Sequence, residues 1–323
     1  MVRVCYFIQS YKNFEQILRL VKTLRKSSRD AVILISHSVS GCALDEELLK
    51  QQNTFVLYVK GGRGNFTLVQ NYLDAVEWLL TQNIEFDWFI NLTGQDYPIQ
   101  PIAQIEQTLA ETEYDGFLEY FRLFSGQSSW GTREEKNRYY YRYHSVSKPL
   151  AKWQRKVLKP LKIINYIQPL FRIRLDGEIK IAWRTTTPFS KSFLGYGGSY
   201  FTVLSKNCVK YLYEFSKSNP HILHYFYKVC FPDEIFVQTI LLNQGQFKLA
   251  NESKHYFDFS NSHYGHPKIL TASDYSILIE QSCFFARKFD TSQDSKILDL
   301  LDSKIGQDFQ HPANETTKIS SIN

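Results

Sequence analysis

An α/β fold with a mostly parallel central sheet flanked by helices is predicted by three observations. Strand and helix patterns alternate through the first 120 residues, which implies a parallel sheet with helices on both faces. The pattern returns from Phe193 after a break in the middle of the chain. An aromatic, apolar run in "FDWFINLTGQDYPIQP" stops at Thr93-Gly94-Gln95-Asp96, and open α/β sheets place their chemistry at such strand ends.

The elements follow in order. "VRVCYFI" (Val2–Ile8) reads as the first strand. "NFEQILRLVKTL" (Asn13–Leu24) carries Phe14, Ile17, Leu18, Val21 and Leu24 at helical spacing. "AVILIS" (Ala31–Ser36) and "TFVLYV" (Thr54–Val59) are further strands. "NFTLVQNYLDAVEWLL" (Asn65–Leu80) is an amphipathic helix entered through Gly61, Gly62 and Gly64. The run ending at Thr93 is the fourth strand, "IAQIEQTLAET" (Ile102–Thr112) a helix and "GFLEYFRL" (Gly116–Leu123) another strand. From Trp130 to Leu175 the chain is basic and aromatic. Lys148, Lys152, Arg155, Lys156, Lys159 and Lys162 sit among Leu150, Trp153, Val157 and Leu161. Two readings of that segment stand: a membrane-surface contact, or a solvated helix packed on the domain. "GYGGSYFTVLS" (Gly195–Ser205) is a Gly-rich turn into a strand, and "NCVKYLYEFSKSN" (Asn207–Asn219) is a helix. "FPDEIFVQTILLNQ" (Phe231–Gln244) is a helix with Pro at its start and two acids in its first turn. No repeat or low-complexity linker interrupts the chain. The expectation is one domain over residues 1–303, with a basic aromatic insertion at about 130–175 and a polar, disordered tail over 304–323.

Composition narrows the function. Hydrophobic residues are 43% and charged residues 22% of the chain, a globular balance. The net charge of +6 suits anionic partners such as nucleotide phosphates or a membrane surface. No long basic tract interleaved with aromatics dominates, which argues against nucleic acid. Cys5, Cys42, Cys208, Cys230 and Cys283 are odd in number and show no metal spacing, as expected of free thiols in a reducing cytoplasm. "MVRVCYFIQS" lacks the apolar core of a signal peptide, and no run is long enough for a transmembrane helix.

The candidate chemistry begins with absences. There is no P-loop, no dinucleotide fingerprint and no nucleophile elbow. "GGRGNF" (Gly61–Phe66) lacks the Lys-Ser/Thr ending. There is no Asp-x-Asp, so no such pair is available for a divalent metal. Asp233 and Glu234 admit two readings: acids that complement a helix dipole, or a general base presented at a helix start. Arg287, Lys288 and Lys268 admit two as well: surface charges, or a clamp for a diphosphate.

"FDWFINLTGQDYPIQP", "GGSYFTVLSKNCVKYL", "FPDEIFVQTILLN", "HPKILTASD" and "FFARKFD" occur in that order. Together they resemble the core-2/I-branching β-1,6-N-acetylglucosaminyltransferase family, which includes the peptide O-xylosyltransferases. The resemblance spans roughly residues 3–295. It implies a GT-A glycosyltransferase fold with a Rossmann-like nucleotide-sugar domain, and inverting, metal-independent transfer from a UDP-sugar to an acceptor hydroxyl. No cofactor is then needed, because the UDP-sugar is a substrate. Glu234 of Pro-Asp-Glu maps onto the catalytic base. Lys288 of Arg-Lys-Phe-Asp, with Lys268 and Arg287, maps onto the cations at the diphosphate. The donor pocket falls at Ile8, Gln9, Gly94 and Asp96, with Asp96 expected to organise the site through hydrogen bonds. The acceptor side falls at Glu119, Arg133, Lys136, Arg138, Asp233, Tyr256 and Asp258.

Departures from the family pattern touch the donor and acceptor edges: Gln9 and Ser10 where His is common, Arg63-Gly64-Asn65 at a helix entry, and Phe259 where Trp is common. The resemblance implies GlcNAc or xylose as the sugar. A glycan acceptor, lipid-linked and reached from the cytoplasm by peripheral contact with an anionic membrane, completes the expectation. The rivals are a glycosyltransferase with another nucleotide-sugar donor and a non-catalytic glycan- or nucleotide-binding protein on the same scaffold.

Overall fold

The computed structural model describes residues 2–62, 64–175, 178–260 and 266–307. The chain folds as two compact units, each discontinuous in sequence. The first draws on residues 1–58, 85–113 and 253–323, the second on 59–84 and 114–252. No linker composition marks the crossings, so the sequence reads as one domain. Among the described residues no helix is long and apolar enough to cross a membrane.

The first unit is a parallel α/β layer. Strand Val4–Ser10 lies between Val32–Ser38 and Trp88–Thr93 and runs parallel to both, with Ile8 opposite Ile35 on one side and Leu92 on the other. Thr54–Val59 lies beyond Val32–Ser38. Every residue of the first two strands is buried, as parallel strands covered on both faces require. Helix Phe14–Ser27 buries Ile17, Leu18, Leu20, Val21 and Leu24. Asn13 caps it, accepting from the Gln16 N–H at 3.2 Å from a left-handed backbone position that Asn tolerates. Arg19 of this helix donates to Asp299 at 2.7 Å and Asp302 at 2.6 Å on helix Lys296–Gln307. That helix runs past Lys304, where the disordered tail was expected to begin; residues 308–323 lie outside the described residues.

A smaller sheet in the same unit has Phe285–Arg287 at its centre, parallel to His255–Phe257 and antiparallel to Asp96–Pro98. His255 is buried between the rings of Phe257 and Phe285, at centroid distances of 6.0 and 5.5 Å. Burial, with Arg287 adding to it, pushes its pKa from 6.5 down to about 3, so the ring is neutral at pH 7.

The second unit holds Gly116–Leu118 between Thr202–Ser205, antiparallel, and Leu249–Ala250, parallel. The expected strand Gly116–Leu123 is broken in two. Tyr120 leaves the ladder to exchange hydrogen bonds with the Asn251 side chain at 2.7 and 2.9 Å, and a second strand, Phe121–Arg122, pairs with Tyr196–Gly197. Helices Thr67–Thr81 and Lys206–Ser218 are joined where Glu77 accepts from Tyr213 Oη at 2.8 Å and Lys217 Nζ at 2.9 Å. The basic segment is not one helix. Helix Thr132–Tyr139 is followed by a sheet of Tyr141–Ser145, Ile179–Arg184 and Phe171–Leu175, with Ile179–Arg184 in the middle. Between the first and last of these in sequence lie helix Lys152–Leu158, a 3₁₀ turn Lys159–Ile163 and helix Ile164–Ile167.

Two tests follow. A Cβ on Gly198 would stand 1.8 Å from the Glu119 carbonyl oxygen, a backbone atom that cannot swing aside. Gly198→Ala is therefore expected to lower the unfolding free energy in denaturant by about 1–3 kcal/mol; an unchanged midpoint would contradict this packing. His255 has a folded pKa below its ordinary value. Below pH 6.5 the unfolded chain binds a proton that the folded chain refuses, so stability present above 6.5 is lost as pH falls toward 3. Denaturant midpoints taken between pH 7 and 4 are expected to fall less steeply in His255→Gln than in the wild type; equal slopes would count against a buried neutral ring.

Candidate active site

In the first unit the site grows from the strand end at Thr93. Asp96 is fully buried and its carboxylate accepts from the Thr93 N–H at 2.6 Å and Thr93 Oγ1 at 2.9 Å. Arg287 Nε lies 3.3 Å from Asp96 Oδ1, directly across the antiparallel register. Burial pushes the Asp96 pKa up, and Arg287 and Thr93 oppose that push. His255 Nε2 is 3.8 Å away, but the ring is neutral and contributes no charge. A buried carboxylate requires a partner of this kind. Arg287, expected among the diphosphate cations, has its charge matched by Asp96.

That pair anchors the segment that carries Lys288. Phe289, next along the chain, is fully buried and donates its N–H to the Gln95 carbonyl at 2.9 Å. Asp290 accepts from Lys12 Nζ at 2.8 Å. The Leu270 N–H donates to the Lys288 carbonyl at 2.9 Å, and the Lys288 N–H donates to the Lys268 carbonyl at 3.4 Å. The backbones of the two expected clamp lysines are thus neighbours. Lys268 Nζ contacts Asp274 Oδ1 at 2.6 Å, with Asp258 at 3.8 Å. The Asp274 contact raises the Lys268 pKa; for Asp274, burial pushes upward and the Lys268 contact and Thr271 together outweigh it. Gly94 donates its N–H to the Gln9 carbonyl at 2.9 Å. Gln9 is buried, and Ile8 is core with no exposed side chain. Tyr256 and Asp258 are half-buried at the end of their strand.

In the second unit the expected α-helical start at Pro232 is a separate 3₁₀ turn, Pro232–Glu234, ahead of helix Phe236–Gln244. Ile235, at φ −135°, breaks the two apart. Asp233 and Glu234 therefore do not cap a helix dipole. The turn is held on both sides. The Phe231 N–H donates to the Gly64 carbonyl at 3.2 Å, and the Gly198 N–H donates to the Glu234 carbonyl at 2.9 Å. Gly64 has φ +65°, and a Cβ there would meet the Phe231 ring at 2.8 Å, so Gly64 is a seat for this turn.

Glu234 accepts from Arg138 at 2.7 Å. Arg138 also donates to Glu134 at 3.0 Å, and Glu134 accepts from Arg174 at 3.2 Å. The Arg138 guanidinium lies over Phe231 at 4.6 Å and Trp130 at 4.8 Å, which fixes its plane. Of the expected acceptor cations, only Arg138 joins Glu234. Arg133 stacks on Tyr166 at 3.8 Å, and Lys136 is exposed on helix Thr132–Tyr139. Glu119 is exposed just past the strand end at Leu118, and Asp233 is buried beside Glu234. The sequence reading missed Glu134, Arg174, Trp130, Phe231, His255 and Asp274. The Glu134–Arg138 spacing of i,i+4 was a usable signal; the others depend on tertiary contacts. Among the described residues no cluster of three or more His, Cys, Asp and Glu is arranged to hold a metal.

The chain is similar to Beta-glucuronosyltransferase GlcAT14B of Arabidopsis thaliana, 25% identical over 243 residues, covering 74% of this chain and 48% of that protein. It is also similar to Beta-glucuronosyltransferase GlcAT14A of the same plant, 23% identical over 243 residues, 74% of this chain and 47% of that protein. It spans about half the length of these curated relatives. Among solved structures, the inositol-1-phosphate CTP transferase from T. maritima matches at a TM-score of 0.37 and 10% identity, over 95% of this chain and 97% of that one. Glucosyl-3-phosphoglycerate synthase from Mycobacterium tuberculosis matches at 0.29 and 11%, over 64% and 58%. The Core-2/I-Branching enzyme family model matches residues 7–282. With this match over most of its length, the chain belongs to the Core-2/I-Branching enzyme family.

Proposed function

We propose that the protein is an inverting, metal-independent transferase that moves a sugar from a UDP-sugar to a hydroxyl of a glycan. The acceptor oxygen attacks the anomeric carbon, the bond from that carbon to the UDP oxygen breaks, and the hydroxyl proton passes to Glu234. The transition state is oxocarbenium-like, and the departing diphosphate gathers negative charge. Lys288 and Lys268 meet that charge in place of a metal. Lys268 must exchange its Asp274 contact for the phosphate, which keeps the cation partnered in both states.

The observation that carries the reading is the 2.7 Å contact between Glu234 and Arg138 on a turn held at both ends. A neighbouring guanidinium favours the ionised carboxylate, the form that accepts a proton, and general-base transfer requires a carboxylate held in place. GlcNAc or xylose is the sugar that the family resemblance implies. The names of the two plant relatives favour a second reading, in which the sugar is glucuronic acid. A lipid-linked acceptor, used in making a bacterial surface polysaccharide or glycan, completes the proposal, with the enzyme held peripherally on an anionic membrane.

Glu234→Gln tests the base directly. Release of UDP in the presence of acceptor is expected to fall about 10²–10⁴-fold, while the dissociation constant for the UDP-sugar stays within a factor of about two. A variant that retains turnover within about tenfold of the wild type would remove Glu234 from the role.

A further inference from the structure

The run Lys152–Ile167 inverts the usual arrangement of an amphipathic helix. None of the residues in helix Lys152–Leu158, the turn Lys159–Ile163 or helix Ile164–Ile167 is buried. Its large apolar side chains face outward: Trp153 is 67% exposed, Ile163 68%, Tyr166 70% and Ile167 75%. Val157 and Leu170 are as exposed. Trp153 and Val157 are four residues apart in helix Lys152–Leu158 and share one of its faces. Exposed apolar surface of this density in one short stretch marks an interaction site. The charge around it has one sign. Lys148, Lys152, Arg155, Lys156, Lys159 and Lys162 lie within it, and no Asp or Glu occurs between Glu135 and Asp176.

Basic and apolar side chains mixed on one exposed element match one occupant, the surface of an anionic bilayer. Lys and Arg reach phosphate headgroups while their stems lie along apolar surface. Trp and Tyr settle at the headgroup boundary, and Ile, Leu and Val enter the acyl region. A nucleic acid would use the cations and leave the Ile and Leu residues wet. A second copy of the chain would use the apolar groups and bring the two sets of cations together.

We infer that residues 146–170 form an interfacial anchor that seats the protein on anionic lipid by apolar insertion together with basic contacts. The inference rests on, and deepens, the proposal of a membrane-borne acceptor, and it can fail alone. Lys152, Trp153, Lys156, Lys159, Ile163 and Ile167 are exposed, so replacing them leaves the fold intact.

The test is sedimentation of the purified full chain with phosphatidylglycerol–phosphatidylcholine vesicles and with phosphatidylcholine alone, at low and high salt. The wild type is expected to bind the anionic vesicles at least tenfold more tightly than the neutral ones. Each basic residue near such a surface contributes roughly fivefold. Changing Lys152, Lys156 and Lys159 together to Glu is thus expected to reduce binding at least 100-fold. Trp153→Ala with Ile163→Ala and Ile167→Ala is expected to reduce it at least tenfold at either salt. Absence of vesicle binding overturns the inference, as does binding that neither variant weakens. A wild-type dimer that becomes monomeric on the Trp153, Ile163 and Ile167 changes, without vesicle binding, also overturns it and makes the occupant a second copy. Binding to a homopolymeric RNA but not to anionic vesicles overturns it in favour of nucleic acid. Titration of the same proteins with UDP-sugars separates the two proposals. Uptake of UDP-sugar without vesicle binding removes the anchor alone, and vesicle binding without uptake of any UDP-sugar removes the transferase reading alone.

Discussion

A carboxylate buried at the end of a parallel strand has to be given a cation, and in the first unit that constraint arranges the rest. Asp96 has no exposure, so an isolated negative charge there would be costly. Arg287 answers it from the facing strand, and the Thr93 N–H and hydroxyl complete its shell. Because Arg287 is committed to Asp96, Phe289 to the core and Asp290 to Lys12, the segment between Ala286 and Asp290 has little freedom. Lys288 is the residue of that segment to which the proposal assigns the diphosphate. Its backbone N–H donates to the Lys268 carbonyl, so the two lysines proposed for the diphosphate are neighbours along the backbone.

The second unit solves a related problem with the signs reversed. For the role proposed for it, Glu234 has to be ionised and still. Arg138 supplies the charge, Trp130 and Phe231 hold the guanidinium plane, and Glu134 balances it against Arg174. Two backbone hydrogen bonds, to the Gly64 carbonyl and from the Gly198 N–H, secure the turn that carries Glu234. Surface ion pairs contribute little on their own. This one is partly buried and networked, so its value lies in orientation more than in stability.

Much of the fold was legible because parallel strands buried on both faces, such as Val32–Ser38, produce unbroken apolar runs; Thr54–Val59, which is partly exposed, was also read at its observed bounds. The breaks were not legible where one long-range contact decides them. Asn251 splits the strand at Tyr120 from more than a hundred positions away in sequence, and Ile235 separates the Pro-Asp-Glu turn from the helix that its composition suggested. The candidate site could be proposed from the sequence where it lies in local motifs, Pro232–Glu234 and Arg287–Asp290. The contact of Arg287 with Asp96 is a cross-strand fact, and the partnership of Lys268 with Asp274 is likewise set by the fold. The basic segment was read as amphipathic from its composition. That its apolar side chains face outward depends on what the rest of the unit leaves uncovered.

The central claim is that lysines stand where related chemistries use a metal. Calorimetric titration of the purified chain with UDP-GlcNAc, UDP-xylose and UDP-glucuronate, each in excess EDTA, tests it most directly. The expected result is saturable binding of one of them with the chelator present, weakened at least tenfold by Lys288→Ala. Binding that appears only after Mn²⁺ or Mg²⁺ is added, and is indifferent to Lys288, would contradict it.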